Sequence, residues 1–129
     1  MRLFRGNTTI HVGFEKGEGF QSFYPGEELV ALIQIRPEQE INCREVWVYV
    51  GWHTEGKGDR NSAAVYSEPI SITKLSPDEP VMHELHYQLP NSPWSYQGEL
   101  IRLVWTVHVK IDVAMMPDIN HHEPFVLQP

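Results

Sequence analysis

The sequence predicts an all-β protein, an antiparallel β-sandwich of about seven or eight strands. Residues 101–113 alternate between apolar and polar side chains over thirteen positions, which is the period of a β-strand with one buried face. Shorter alternating runs recur along the chain, and segments rich in glycine and proline separate them. Helical periodicity never extends beyond one turn, so the whole chain is expected to fold as strands and loops.

Length and composition are those of one soluble domain. The chain has 129 residues, 41% hydrophobic and 21% charged, which is enough to bury a core without disulfide or metal cross-links. We therefore expect residues 1–129 to form a single domain. No apolar run approaches the roughly 18 residues of a membrane-spanning helix, and the N-terminus lacks the apolar stretch of a secretory signal. Cys43 is the only cysteine, which excludes an intrachain disulfide and favours a reducing, cytoplasmic setting.

The charge balance argues against two classes of partner. Seventeen acidic and ten basic residues give a net charge of −7 with histidine neutral. A chain with this balance repels phosphate backbones and anionic membrane surfaces on average. We therefore expect neither a nucleic-acid partner nor a membrane span.

The alternation of apolar and polar residues, and the turn-forming residues between the alternating runs, predict the strands and their order. The predicted strands are Thr8–Phe14, Glu28–Arg36, Val46–His53, Val65–Thr73, Val81–Leu89, Ile101–Val113 and a short last strand at Phe125–Leu127. Residues 20–24 form either a short aromatic strand or a covering loop. Pro25 followed by Gly26 predicts a type II turn, and residues 114–122 are expected to interrupt the chain between the last two strands.

Three of these strands carry further information. Val46–His53 has apolar groups on both faces, which indicates a central strand or an outer face that a partner covers. Val65–Thr73 is interrupted by Pro69 and fits a sheet edge, because proline cannot donate to the ladder. In Ile101–Val113 the odd-numbered residues form the apolar face, so Trp105 is predicted in the core.

Several short motifs together resemble one domain of the arrestin-like superfamily. The motifs are Tyr24-Pro25-Gly26-Glu27, Leu29-Val30-Ala31, Leu89-Pro90, the run Ser95–Ile101, and its continuation Val107–Asp112. In arrestin-like domains a proline–glycine turn opens a strand, and a proline, an aromatic residue and a glycine precede a long strand that ends near an acidic residue. The resemblance covers roughly residues 8–112. It extends to arrestins, the arrestin-fold subunit of retromer and bacterial sporulation-control proteins.

The resemblance implies an immunoglobulin-like or arrestin-like sandwich that acts as a non-catalytic adaptor or scaffold. Such a module binds proteins through strand edges and loops, and two edges can also pair to form a homodimer. Arrestins have two such sandwiches, whereas this sequence contains one. No residue here matches the phosphate-sensing lysines or the buried polar core of arrestins.

Seven histidines raise the question of a metal site. His83 and His86 are three apart in a predicted strand and therefore point to opposite faces. His121, His122 and Glu123 offer ligands from a predicted loop, with His53 or His11 as a further ligand. Zinc requires three or four converging ligands, and neither an H-E-x-x-H motif nor a cysteine pair is present. We expect surface or capping histidines, with no metal and no cofactor.

Catalytic residues are not indicated either. Cys43 has only Arg44 as a neighbouring activating charge, so an unreactive cysteine at a strand start is favoured over a thiol of lowered pKa. Glu27 and Glu28 are adjacent in a strand and point apart, which makes them poor acid–base partners. We expect no enzymatic activity.

Residues 54–60 form the most distinctive polar stretch. Glycines flank Lys57, but the spacing of a phosphate-binding loop is missing and no helix follows. A solvated loop joining an antiparallel pair is the simpler interpretation. Its alternative is a partner-contacting loop, for which the candidate residues are His53, Lys57, Asp59 and Arg60.

The aromatic residues leave a second function open, the binding of a carbohydrate or another small ligand. Trp94 with Tyr96, or Trp47 with Tyr49, could stack on a sugar, as in carbohydrate- or small-ligand-binding sandwiches; packing roles are favoured. The sequence alone therefore predicts a protein-interaction module, with ligand binding as the alternative.

Overall fold

The structure, a computed structural model, describes residues 7–129 as ten strands. In chain order they are β1 Thr8–Phe14, β2 Ser22–Phe23, β3 Glu28–Pro37, β4 Ile41–Gly56, β5 Ser62–Ile70, β6 Lys74–Leu75, β7 Val81–Gln88, β8 Tyr96–Gln97, β9 Ile101–Val113 and β10 Ile119–Leu127. Three of them, β2, β6 and β8, have only two residues. The remaining seven agree with the predicted number of strands.

Two sheets pack face to face around one apolar core. The small sheet has the order β1-β3-β7. The large sheet has the order β2-β10-β9-β4-β5, with β6 beside β4 and β8 beside β9. All pairings are antiparallel except that of β10 with β2. The predicted all-β antiparallel sandwich is confirmed. Within residues 7–129, no helix has the length and apolar character needed to cross a bilayer.

The centre of the core lies on β9. Its inward-facing residues Trp105, Val107, Val109 and Ile111 are 0% exposed. The indole Nε1–H of Trp105 donates to the Pro93 carbonyl oxygen at 2.7 Å, which ties the loop before β8 to the core. The face predicted for Ile101–Val113 is thus confirmed, except at Ile101. That residue is 41% exposed, because it lies at the end of the strand, opposite Gly56.

β4 is twice as long as predicted. It pairs with β9 from Cys43 to Gly56 and with β5 on its other side, so its central position is confirmed. Thr54, Glu55 and Gly56, which were expected in a loop, pair with residues 101–103 of β9. The loop after β4 therefore begins only at residue 57.

The last strand was predicted too short. The expected interruption at residues 114–122 is a turn that ends before Ile119, and β10 then pairs with β9 from residue 119 to residue 125. His121 to Pro124 have little strand propensity by themselves. The ladder on β9 and the burial of Phe125 and Leu127 outweigh that propensity.

Two local predictions are confirmed. β5 lies at the edge of the large sheet, although its strand runs through Pro69 to Ile70 and ends before the predicted Thr73. The turn at Pro25 has type II character: Gly26 has φ 81°, and the Glu27 N–H donates to the Tyr24 carbonyl at 3.1 Å.

Replacing Trp105 with alanine should destabilise the fold by about 3–5 kcal/mol, because a fully buried indole leaves a large cavity. Denaturant unfolding measures this loss. Trp94→Ala is the matched control, since Trp94 is 49% exposed, and it should change stability by less than about 1 kcal/mol. A Trp105→Ala protein that unfolds like the parent would contradict the placement of this residue in the core.

Gly56→Ala should destabilise the end of the β4–β9 pair by about 1–3 kcal/mol. Gly56 has φ 126°, and a Cβ at this position would lie 2.0 Å from the Leu100 carbonyl oxygen. Thermal unfolding compares it with Gly13→Ala in β1, where a Cβ meets nothing closer than 3.4 Å. Equal melting of the two variants would show that the close approach at Gly56 relaxes without cost.

Candidate functional site

The most distinctive surface of the protein is the outer face of the large sheet. Residues of β4, β9 and β10 that point away from the core are aligned by the strand register. Tyr49, His108 and His122 form one row across the three strands, and Gly51, Thr106 and Pro124 form the next. Gly51 has no side chain and Thr106 is only 7% exposed, so the middle of this face is a depression.

We call this depression, which lies between His53 on β4 and His122 on β10, the outer hollow. It continues towards β8 as a groove of about 540 Å³, which both histidines also line. Apolar side chains, including Val104, Phe125 and Val126, form much of the groove. Phe20 and Tyr96, each more than half exposed, stand at its rim. The volume and the mainly apolar lining are typical of small-molecule sites.

One carboxylate lies at the end of the groove. Glu55 accepts hydrogen bonds from His53 Nε2 at 2.6 Å and from Arg102 Nε at 2.7 Å. The hydrogen bond from His53 and then that from Arg102 lower the pKa of Glu55. Glu55 is therefore ionised at neutral pH and links β4 to β9 on the outer face.

The histidine row has a different character. The rings of His108 and His122 are stacked with centroids 3.9 Å apart, and the Tyr49 ring lies 5.5 Å from that of His108. Burial lowers the pKa of His122, and electrostatic repulsion between a protonated His122 and the neighbouring rings of His108, His53 and His121 lowers it further. At neutral pH the His122 ring is therefore uncharged, and it packs against the ring of His108.

The structure brings together two of the four candidate partner-contact residues. His53 and Arg60 both line the outer hollow. Lys57 and Asp59 do not line it; the Lys57 backbone N–H donates to the Leu100 carbonyl at 3.0 Å, on the side of the hairpin next to β9. Whether any of the four contacts a partner remains a prediction.

Sequence reasoning missed the central residues of this surface. Thr106 and His108 were assigned to the polar face of the long strand, which is correct, but no function was assigned to them. His122 was expected in a loop. Only the register of β10 on β9 places His122 against His108, and the sequence contains no signal for that register.

The histidines do not converge on a metal position. His83 and His86 lie on opposite faces of β7, as predicted, and bond to Glu68 and Glu84 respectively. His121 points inward and bonds to Glu123 at 3.1 Å, whereas His122 points outward. His11 lies on the small sheet. Within residues 7–129, no group of three or more histidine, cysteine, aspartate or glutamate side chains is placed to hold a metal.

The other candidate reactive groups have structural surroundings. Cys43 is 6% exposed, and burial, together with the negative charge of Asp112, raises the pKa of its thiol. The alternative of a lowered thiol pKa is therefore wrong. Arg44, the expected activating charge, pairs with Asp112 at 3.0 Å. Glu27 forms an ion pair with Lys16 at 2.9 Å, so its carboxylate is paired with a cation and not with the carboxyl group of Glu28.

The comparison of structures identifies the fold. Spo0M, a sporulation control protein from Bacillus subtilis, superposes on 96% of this chain with a TM-score of 0.72 and 16% sequence identity. The chain has an arrestin-like β-sandwich fold. It spans 50% of the length of the Spo0M chain. No protein-family model matches the sequence, and no curated protein matches it.

Two strands of the large sheet with an open edge are protected against pairing: β5, and β10 up to the point where β2 pairs with Val126 and Leu127. β5 and β10 each contain a Glu-Pro pair, Glu68-Pro69 and Glu123-Pro124. Each glutamate faces inward and bonds to a histidine: Glu68 to His83 of β7, and Glu123 to His121. Proline and inward-pointing charged residues are devices by which natural edge strands resist addition of another strand. β7 shares this protection through His83.

β1 differs from these three strands. It has seven residues and no proline, and its inward side chains are the apolar Ile10, Val12 and Phe14. Glu15 N–H donates to the Val30 carbonyl, so the odd-numbered residues bond to β3 and the even-numbered ones point the other way. The N–H and C=O groups of Ile10 and Val12 therefore face the free edge. Among the described residues, β1 is the long edge strand that lacks both devices.

The stability of the fold should decrease as the pH falls below about 6.5, in part because of His122. Its folded-state pKa is lowered, so the neutral ring stabilises the fold above the unfolded-state pKa, and this contribution is lost as the pH falls through the folded-state pKa. Urea unfolding at about pH 7.5 and about pH 5 measures the loss. His122→Gln should reduce it.

The control is His86→Gln. Glu84 raises the pKa of His86, so this histidine contributes stability at low pH that is lost as the pH rises through its folded-state pKa. Removing it should steepen the loss of stability on acidification. If His122→Gln steepens the loss as well, the pKa of His122 is not lowered in the folded protein.

Proposed function

We propose that this chain is a non-catalytic protein-interaction module, an adaptor or scaffold of arrestin-like fold, that binds its partner by strand addition at β1. The observation that carries the proposal is the contrast between β1 and the three other long edges. Those three have proline or inward-facing ionisable groups, and β1 has neither. An unprotected edge in a protein that protects its other edges is typical of a binding edge.

The backbone of β1 offers the groups that such binding needs. An added strand bonds to the N–H and C=O groups of Ile10 and Val12, and its alternate side chains lie beside Thr9 and His11 on the outer face. Main-chain hydrogen bonds supply affinity with little sequence preference, and the neighbouring side chains supply specificity. Two copies of β1 paired with each other form a homodimer by the same contacts.

The fold supports the proposal only as an analogy, because one fold hosts many functions. The setting that we propose is cytoplasmic, with a protein partner and without nucleic acid. The absence of an assigned catalytic set in the sequence agrees with a binding role.

Ile10→Pro and Ile10→Ala form a matched pair that tests strand addition. Both remove the partly buried side chain of Ile10, but only proline removes the N–H that faces the free edge. Proline is tolerated on an edge strand where this group faces solvent. We expect partner proteins captured from an extract of the source cells by the parent to be retained by Ile10→Ala and lost with Ile10→Pro.

Circular dichroism and melting establish first that both variants are folded. Light scattering at high concentration then tests the homodimer, which should be present with Ile10→Ala and absent with Ile10→Pro. Equal capture by the two variants would exclude β1 as the binding edge. A strictly monomeric parent would remove the homodimer but not a different partner.

A ligand-binding sandwich is the second candidate, and the groove beside β8 favours it. Tyr96, one of the aromatic residues proposed to stack on a sugar, lines this groove, whereas Trp94 does not. Trp47 and Tyr49 lie on the same sheet face with ring centroids 6.2 Å apart. A glycan array tests the carbohydrate form of this candidate, for which binding should be lost with Tyr96→Ala.

A further inference from the structure

We infer that the outer hollow and its groove bind a small anion that carries one aromatic ring, and bind it more tightly as the surrounding histidines become protonated. The inference deepens the small-ligand candidate and does not depend on strand addition at β1. It rests on the local charge, on the shape of the groove and on the arrangement of the histidines.

The local charge is opposite in sign to that of the whole protein. The chain carries a net charge of −7. Among the described residues, the hollow and the groove are lined by one carboxylate, Glu55, and by three permanent cations, Arg60, Arg102 and Lys110. Lys110 pairs with Asp118 at 3.5 Å and Arg102 pairs with Glu55, so the local excess of positive charge is carried by Arg60 and, once protonated, by the histidines. Glu55 already accepts hydrogen bonds from Arg102 and His53. A surface with excess positive charge on an acidic protein concentrates anions locally.

The groove adds an apolar requirement. Val104 and Val126 line it, and Phe20 and Tyr96 stand exposed at its rim at 63% and 62%. Aromatic rings at a rim pack against a flat apolar body. An ion without such a body leaves the apolar lining uncontacted. An aromatic ring attached to a carboxylate can pack against that lining and bring its charge towards Arg102 and His122, which line the same groove.

The histidines make the site dependent on pH. His53, His108 and His122 face the hollow from three neighbouring strands. His122 lines the part of the hollow beside His108, the part beside Arg60, and the groove as well. An anion bound in any of these places would lie near His122. An anion favours the protonated ring, so binding and proton uptake reinforce each other. The titratable and charged groups around His122 are His108 and Lys110 on β9, Tyr49, His53 and Glu55 on β4, Arg60 in the next loop, and His121 and Glu123 on β10 itself.

Benzoate is the probe that tests the inference, because its carboxylate stays ionised across the pH range in which histidine titrates. Two-dimensional NMR titrations at about pH 5.5 and about pH 7.5 give its dissociation constant and the residues that it shifts. We expect shifts at Val104, Thr106 and His122. Binding should be several-fold tighter at the lower pH if one histidine pKa rises by about one unit, with about tenfold as the upper limit. Acetate, benzyl alcohol and benzylamine are the matched probes without the ring, without the charge and with the opposite charge.

His122→Gln should abolish most of the pH dependence, whereas His11→Gln, on the small sheet, should leave it unchanged. Benzyl alcohol binding as tightly as benzoate would overturn the anion inference and leave the small-ligand candidate standing. Shifts outside the groove, equal binding of benzylamine, or equal pH dependence in both histidine variants would also overturn it. Failure of every probe to saturate would overturn the inference, without bearing on β1 or on the carbohydrate form of the small-ligand candidate, which the glycan array tests.

Discussion

The antiparallel pairing of β4 with β9 is the interaction on which the rest of the structure depends. It runs from Cys43 to Gly56 on one strand and from Ile101 to Val113 on the other. On the inner face it aligns Val46, Val48 and Val50 with the buried residues of β9, and these rows form the centre of the core. On the outer face the same register aligns His53, Gly51 and Tyr49 with Val104, Thr106 and His108. A shift of one residue would move the valines to solvent and dismantle both faces at once.

The two proposed binding surfaces use different properties of the same sandwich. The edge of β1 offers main-chain groups that no strand among residues 7–129 pairs with, in the small sheet β1-β3-β7. The outer hollow offers side chains fixed by three paired strands, with Glu55 linking β4 to β9 and the stacked rings of His108 and His122 linking β9 to β10. The first surface therefore suits an extended chain, and the second suits a compact ligand. They lie on different sheets, so one chain can in principle use both.

The likeness to Spo0M identifies the architecture and leaves function to the local surfaces. The same sandwich can protect three edges and leave one free, or can line one face with histidine, without changing its core. In this chain the Glu-Pro pairs of β5 and β10 cost the core little, because each glutamate bonds to a histidine at the margin between the sheets. Edge protection and packing are therefore compatible here.

Much of the fold could be predicted because alternation reports burial directly. The faces of Ile101–Val113, the limits of β1 at Thr8 and Phe14, and the type II turn at Gly26 all follow from local patterns or local backbone preferences. β10 could not be delimited in the same way, because His121 to Pro124 join the strand only through their partners on β9.

By itself, the sequence determined the buried face of the long strands, the turn at Gly26 and that the protein consists of β-strands, but not where β4 ends or where β10 begins. Those properties depend on neighbours in the chain and on the period of apolar residues. Only the tertiary structure decided which strand lies at an edge without protection, and which histidines meet across a sheet. The reason is that strand order and register depend on contacts between residues far apart in sequence, which a local pattern does not specify.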